Sequence, residues 1–196
     1  MKKLVATVGM LSLVSMSAVA QPKAAVELLV GQADQETEFE GVSLVSGDDV
    51  SLGLRGAFEF NENLALEVSY MAYGEADDSF VDDFGDTITN EVETSALKVG
   101  LKGILPVANG FALVGRLGVA RWDYEVTTKD SAFPGESEKL DDNGVDIFYG
   151  VGAQYSVTEN FRVGLEYTIL DTEVELLGED VDHEIKNLAL SVAFSF

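Results

Sequence analysis

Cysteine is absent from the 196 residues, which at once excludes disulfide staples, thiolate metal sites and the acylated cysteine of a lipoprotein. Histidine occurs once, at His183 beside Glu184, and no serine lies in a pairing pattern near it. The residues of a serine–histidine lipase or acyltransferase centre are therefore missing, no enzymatic activity is expected, and His183 reads as a solvent-exposed side chain. Basic residues are scarce, 12 Lys and Arg against 35 Asp and Glu. That leaves too few cations to clamp phosphates, so nucleic acid is not an expected partner. Long hydrophobic runs are missing as well: past the N-terminus nothing approaches the ~18 consecutive apolar residues of a spanning helix. Only a closed barrel of strands could then cross lipid.

The N-terminus itself carries a basic start (Met1, Lys2, Lys3), an apolar run from Leu4 to Val14 and the small-residue end Ala18-Val19-Ala20. This is the layout of an export signal over 1–20 with cleavage after Ala20, and the run is too short for a retained anchor. The remainder, 21–196, is long enough for one domain. Without Lys2 and Lys3 the 12 basic residues fall to 10 against 35 acidic ones, a charge of about −25.

From Val50 the even positions Val50, Leu52, Leu54, Phe58 and Phe60 alternate with Ser51, Gly53, Arg55, Ala57 and Glu59. Such alternation is that of a strand, whose side chains point to opposite faces in turn. After Asn61-Glu62-Asn63 it resumes with Leu64, Leu66, Val68 and Tyr70 against Ala65, Glu67 and Ser69. Further hairpins join Leu97, Val99 and Leu101 to Phe111, Leu113, Leu117 and Val119, and Val145 to Tyr155 with Phe161 to Ile169. Their opposite faces carry Lys98, Arg116, Glu166, glycine and alanine. A strand near Ala25 to Gln32 and a last one from about Ile185 to Phe196 complete eight, an even count that closes a barrel.

Short turns alternate with longer connections near 33–49, 75–92, 125–144 and 171–184, which hold most of the acidic residues. Short periplasmic turns and long, here acidic, extracellular loops are the outer-membrane arrangement. Asp77-Asp78 and Asp82-Asp83 lack the alternating oxygen spacing of a calcium loop, so no metal ligand is named and no cofactor is expected.

Alternation alone also fits a soluble ligand-binding barrel, but residue size decides. An eight-stranded interior has room for glycine, alanine, serine and single charges, whereas the Leu, Val, Phe and Tyr face suits lipid. The expected fold is an all-β, eight-stranded antiparallel up-and-down transmembrane β-barrel with a polar interior. Aromatics beside the short turns (Phe58, Phe60, Phe111, Tyr155, Phe161, Phe194) fit an interface girdle. Phe196 closes the final apolar row in the manner of a terminal signal read by barrel-insertion machinery.

The stretches Lys98 to Trp122, with Leu105-Pro106 and Gly115-Arg116-Leu117-Gly118, and Phe148 to Tyr167, with Tyr149-Gly150-Val151-Gly152 and Leu165-Glu166-Tyr167, carry a family likeness. Over roughly 25–196 the chain resembles the OmpA-like transmembrane domain within the outer-membrane β-barrel superfamily, without room before Phe196 for the periplasmic peptidoglycan-binding domain of full-length members. The resemblance implies a charged network inside the barrel at Glu67, Lys98, Arg116 and Glu166. It departs at Gln154 and Gly164, where the family often has a carboxylate and an arginine.

Counted from the turns, Arg55, Glu67, Lys98, Arg116 and Glu166 fall near mid-barrel on the inward face, where buried charges must be paired or hydrated. The expected role is a non-enzymatic, structural or surface-interaction barrel of the bacterial outer membrane, with small-solute or ion diffusion as the alternative. Expected partners are outer-membrane lipid, lipopolysaccharide and the insertion machinery, with the barrel a monomer.

Overall fold

The computed structural model describes residues 23–39, 42–81, 85–132, 137–176 and 179–196, so the expected export signal lies outside the described residues. Strands β1 (Lys23–Phe39), β2 (Val42–Asn61), β3 (Leu64–Val81), β4 (Thr87–Ala108), β5 (Phe111–Asp130), β6 (Ser137–Ser156), β7 (Phe161–Leu176) and β8 (Glu179–Ser195) follow one another around a closed antiparallel barrel. The ring is completed by β1 on β8, from Ala25↔Ser195 to Glu38↔Asp182.

Local chemistry sets the short turns. Asn63 N–H donates to the Asn61 side chain at 2.8 Å, pinning the β2–β3 turn. Between β4 and β5, Asn109 (φ 50°) and Gly110 (φ 85°) adopt left-handed backbone, the pair of positive φ angles that a two-residue hairpin demands. The Thr158 hydroxyl accepts from the Phe161 N–H at 3.0 Å before β7. At the chain end, the Phe196 N–H donates to the Ala24 carbonyl at 2.9 Å, which extends the β1–β8 closure to the last residue.

Most of the described residues in the four segments expected as long loops are instead strand. The β1–β2 ladder runs to Phe39↔Val42, β3–β4 to Val81↔Thr87, β4–β5 to Ile88↔Asp130, β5–β6 to Lys129↔Ser137 and β7–β8 to Leu176↔Glu179. Two ladders stop early. Pairing of β2 with β3 ends at Leu52↔Ala72, and that of β6 with β7 at Phe148↔Leu170. Beyond those pairs the wall divides into two four-stranded sheets, β3-β4-β5-β6 and β7-β8-β1-β2.

An apolar band surrounds the other half. Its exposed side chains span Val26 to Val30, Leu52 to Phe60, Leu66 to Tyr70, Leu97 to Leu105, Phe111 to Val119, Val145 to Tyr155, Phe161 to Tyr167 and Leu188 to Phe196. These stretches are the membrane-spanning parts of the strands. Aromatic rings gather at their turn ends, with Phe111 and Tyr155 centroids 4.6 Å apart and Phe58 edge-on to Phe60 at 5.4 Å.

Candidate functional site

Inward-facing charges meet at one level inside the band. Arg55 on β2 donates to Glu27 on β1 (Nη1–Oε2 2.7 Å) and grips Glu166 on β7 with both terminal nitrogens (2.8 and 2.6 Å). Arg116 on β5 donates from Nε to Glu67 on β3 at 2.9 Å and places Nη2 3.1 Å from Glu166. Lys102 on β4 lies 3.1 Å from the other Glu67 oxygen, and Arg55 Nε is 3.8 Å from Glu67. Three carboxylates and three cations from six strands thus balance, and all six are buried.

Small residues make room for them. Gly152 sits opposite Glu166, and a Cβ there would come within 2.5 Å of the Leu165 carbonyl oxygen and 3.2 Å of the Glu166 Cβ. The bidentate Arg55–Glu166 pair is the strongest element, because two parallel charge-assisted bonds fix geometry as well as energy.

Of the five sequence-identified charges, Arg55, Glu67, Arg116 and Glu166 are brought together. Lys98 is not: its Nζ lies 5.1 Å from the Tyr73 ring centroid and 5.0 Å from that of Phe148, a cation held between two aromatic faces. Glu27 and Lys102 take its expected place in the ion-pair network. Lys102 was visible on the inward face of β4, two inward positions nearer the turn, past Gly100. Glu27 was obscured because Leu28 and Leu29 break the alternation of β1.

Within the band the interior is polar, as expected, and above the charges it turns apolar. Leu29, Met71, Tyr73, Trp122, Tyr124, Phe148, Leu170, Val174 and Ile185 form one buried cluster. His183, expected to be exposed, is only 2% accessible. Its Nδ1 is 2.9 Å from the Thr37 hydroxyl and its Nε2 3.3 Å from that of Thr94, so it bridges the two sheets, and the Tyr124 ring meets it edge-on at 5.0 Å. His183 lies beyond the apolar band, and burial pushes its pKa down to about 4.

The outside of this half is acidic. Glu75 lies opposite Glu93, Glu93 opposite Glu125 and Glu125 opposite Asp141 across four neighbouring strands. Like charges in such positions repel, and partial desolvation together with Glu91 and Glu93 raises the Glu75 pKa. Lys129 on Glu91 and Lys139 on Glu125 relieve part of this. Among the described residues no group of three His, Asp or Glu side chains is arranged to hold a metal ion.

The chain matches, over residues 4–196, the family model described as outer membrane protein beta-barrel domain. No curated protein matches it. Among solved structures it is similar to Ail, the attachment invasion locus protein of Yersinia pestis, in complex with the heparin analogue sucrose octasulfate (19% identity, TM-score 0.55, 87% of this chain and 99% of that one). It is also similar to Neisserial surface protein A (11%, 0.61, 88% and 99%) and to OprG of Pseudomonas aeruginosa (12%, 0.54, 89% and 95%). At these identities the likeness is one of fold.

Proposed function

Since the chain belongs to the outer membrane protein β-barrel domain family and resides in the bacterial outer membrane, we propose that it is a closed, non-enzymatic barrel that serves the envelope structurally and presents an acidic surface outside. The observation that carries this reading is the six-membered charge network across the lumen, roofed by the apolar cluster. A hydrated pore would need side chains lining an open path, whereas here charges neutralise one another side by side and the layer above excludes water. The burial of His183 between the Thr37 and Thr94 hydroxyls fits a structural bridge between the two sheets.

The same proposal includes export by residues 1–20, monomeric insertion in contact with lipid and lipopolysaccharide, and recognition of Phe196 by the insertion machinery. Phe196 is 70% exposed at the turn end of β8, where a receptor could reach it before closure. Deleting it lowers the folded, heat-modifiable fraction in outer membranes, and N-terminal sequencing of the inserted protein starts at Gln21.

Single-channel recording of pure folded protein in planar bilayers tests the closed interior. A quiet trace with at most brief, small events is expected. Steady porin-sized current would overturn the reading in favour of small-solute diffusion.

A further inference from the structure

The two places where the wall divides are not equivalent. At the β2–β3 seam the backbones stay close: a Cβ on Gly47 would lie 3.0 Å from that of Ala76. The Asp49 carboxylate there accepts from the Glu75 N–H at 3.0 Å and the Val50 N–H at 2.6 Å, replacing the missing ladder. At the β6–β7 seam, among the described residues, no ladder joins 143–147 of β6 to 171–175 of β7, although continuing the register from Phe148↔Leu170 would pair them. On β6 the Asp146 side chain turns inward instead, accepting from Trp122 Nε1 at 2.7 Å. The indole lies so close under Gly144 that a Cβ there would meet it at 2.5 Å, so Trp122 floors the opening.

A cavity of about 680 Å³ opens at this seam, lined by Glu36, Asp146, Asp171, Asp182 and Glu184, with the half-buried Lys186 as its cation. Lys186 is already bound to Glu184. Asp171 accepts from the Tyr149 hydroxyl at 3.3 Å, and five carboxylates share the one ammonium, so the seam combines a strand edge, whose backbone groups seek a partner strand, with an excess of negative charge. A second copy of this chain would bring the same carboxylates against each other.

We propose that the β6 edge over 143–147 is a docking site for an extended cationic peptide, one that adds as a strand and sets lysine or arginine side chains at alternate positions against Asp171 and Glu184. This gives the surface-interaction reading a partner class and rests on the acidic end facing outward. Conductance tests the closed interior separately, so a porin-sized current would leave the strand edge untouched.

The test is hydrogen exchange on the full chain in phosphatidylcholine nanodiscs, with a capped octapeptide of alternating lysine and valine as probe. In the free protein, amides of 143–147 exchange faster than those of 148–154, which are paired on both sides. With peptide about tenfold above its Kd, exchange at 143–147 slows about tenfold. The same peptide N-methylated at alternate residues keeps its charge but cannot pair as a strand, and gives no slowing. Replacing Asp171→Asn and Glu184→Gln weakens binding about threefold for each carboxylate removed. Free-state protection at 143–147 equal to that at 148–154, no slowing with peptide, or equal slowing with the N-methylated form would each overturn the proposal. So would slowing that appears without peptide as protein density in liposomes rises, since it would identify a second copy as the occupant.

Discussion

Below the level of Phe148 and Leu170 the barrel keeps Arg55, Glu67, Arg116 and Glu166 inside and Leu54, Leu101, Leu117 and Leu165 outside. Above it Trp122, Tyr124, Val174 and Ile185 are inside and Glu75, Glu93, Glu125 and Asp141 line the outer face. Most strands run through the boundary without a break in alternation, β3 shifting register around Gly74, and several exchange their apolar side partway along. The solvent outside dictates the switch. Against lipid the apolar row must face out and the lumen must satisfy its own polar groups. Against water the same tube behaves as two packed sheets with an ordinary apolar core.

The largest effects should come from emptying either interior. Arg55→Ala leaves Glu27 and Glu166 without their shared partner, and breaking a buried ion pair costs about 3–5 kcal/mol. Trp122→Ala opens a cavity in the outer core at about 3–5 kcal/mol. Equilibrium unfolding in urea from bilayers measures both. The two halves differ if Arg55→Ala raises conductance noise as well and Trp122→Ala loosens only the outer amides in hydrogen exchange.

The outward faces give a sharper contrast of intermediate size. Leu165→Arg puts a charge against lipid at a cost of about 2–4 kcal/mol. Glu93→Arg, between Glu75 and Glu125 on the watery half, stays within about 0.5 kcal/mol of wild type or gains stability. Equal losses for the two in the same unfolding assay would place the lipid boundary elsewhere.

A smaller, pH-dependent effect isolates the outer core. His183 is neutral when folded, its pKa pushed down to about 4 by burial, whereas an unfolded histidine titrates near 6.5. The stability this difference supplies is present above about pH 6.5 and is lost as pH falls toward 4, since the unfolded chain takes up the proton first. Comparing wild type with His183→Gln across that window reads the contribution: the wild-type curve falls more steeply. Parallel curves would mean that His183 is hydrated.

The lipid-facing half was legible because its rule is strict: Leu, Val and Phe at every second position, with small or charged residues between. The outer half was not. In β1 beyond Gln32 the outward residues are Asp34 and Glu36, and the inward ones are Ala33, Gln35 and Thr37. Neither row is strongly apolar, and Asp and Glu are poor strand formers, so the pattern imitates a loop. Only the cross-strand register supplies the missing order. Four network charges could be found from their level along each strand. The fate of Lys98 could not, because it depends on Phe148 turning inward between the exposed Ile147 and Tyr149.

The ion-pair network also carries a message about time. Arg55 and Glu166 are 111 residues apart in the chain, and Glu27 reaches Arg55 from the strand that seals the ring with β8. The Glu27–Arg55 pair, directly opposite in the β1–β2 ladder, can form with that hairpin, but the two Arg55–Glu166 bonds complete only as the ring closes, the slow, long-range step. They can do little to hasten insertion. Interactions formed after the transition state slow escape from the native state, so the charges act as a latch on a finished barrel, lengthening the lifetime of each molecule in the membrane.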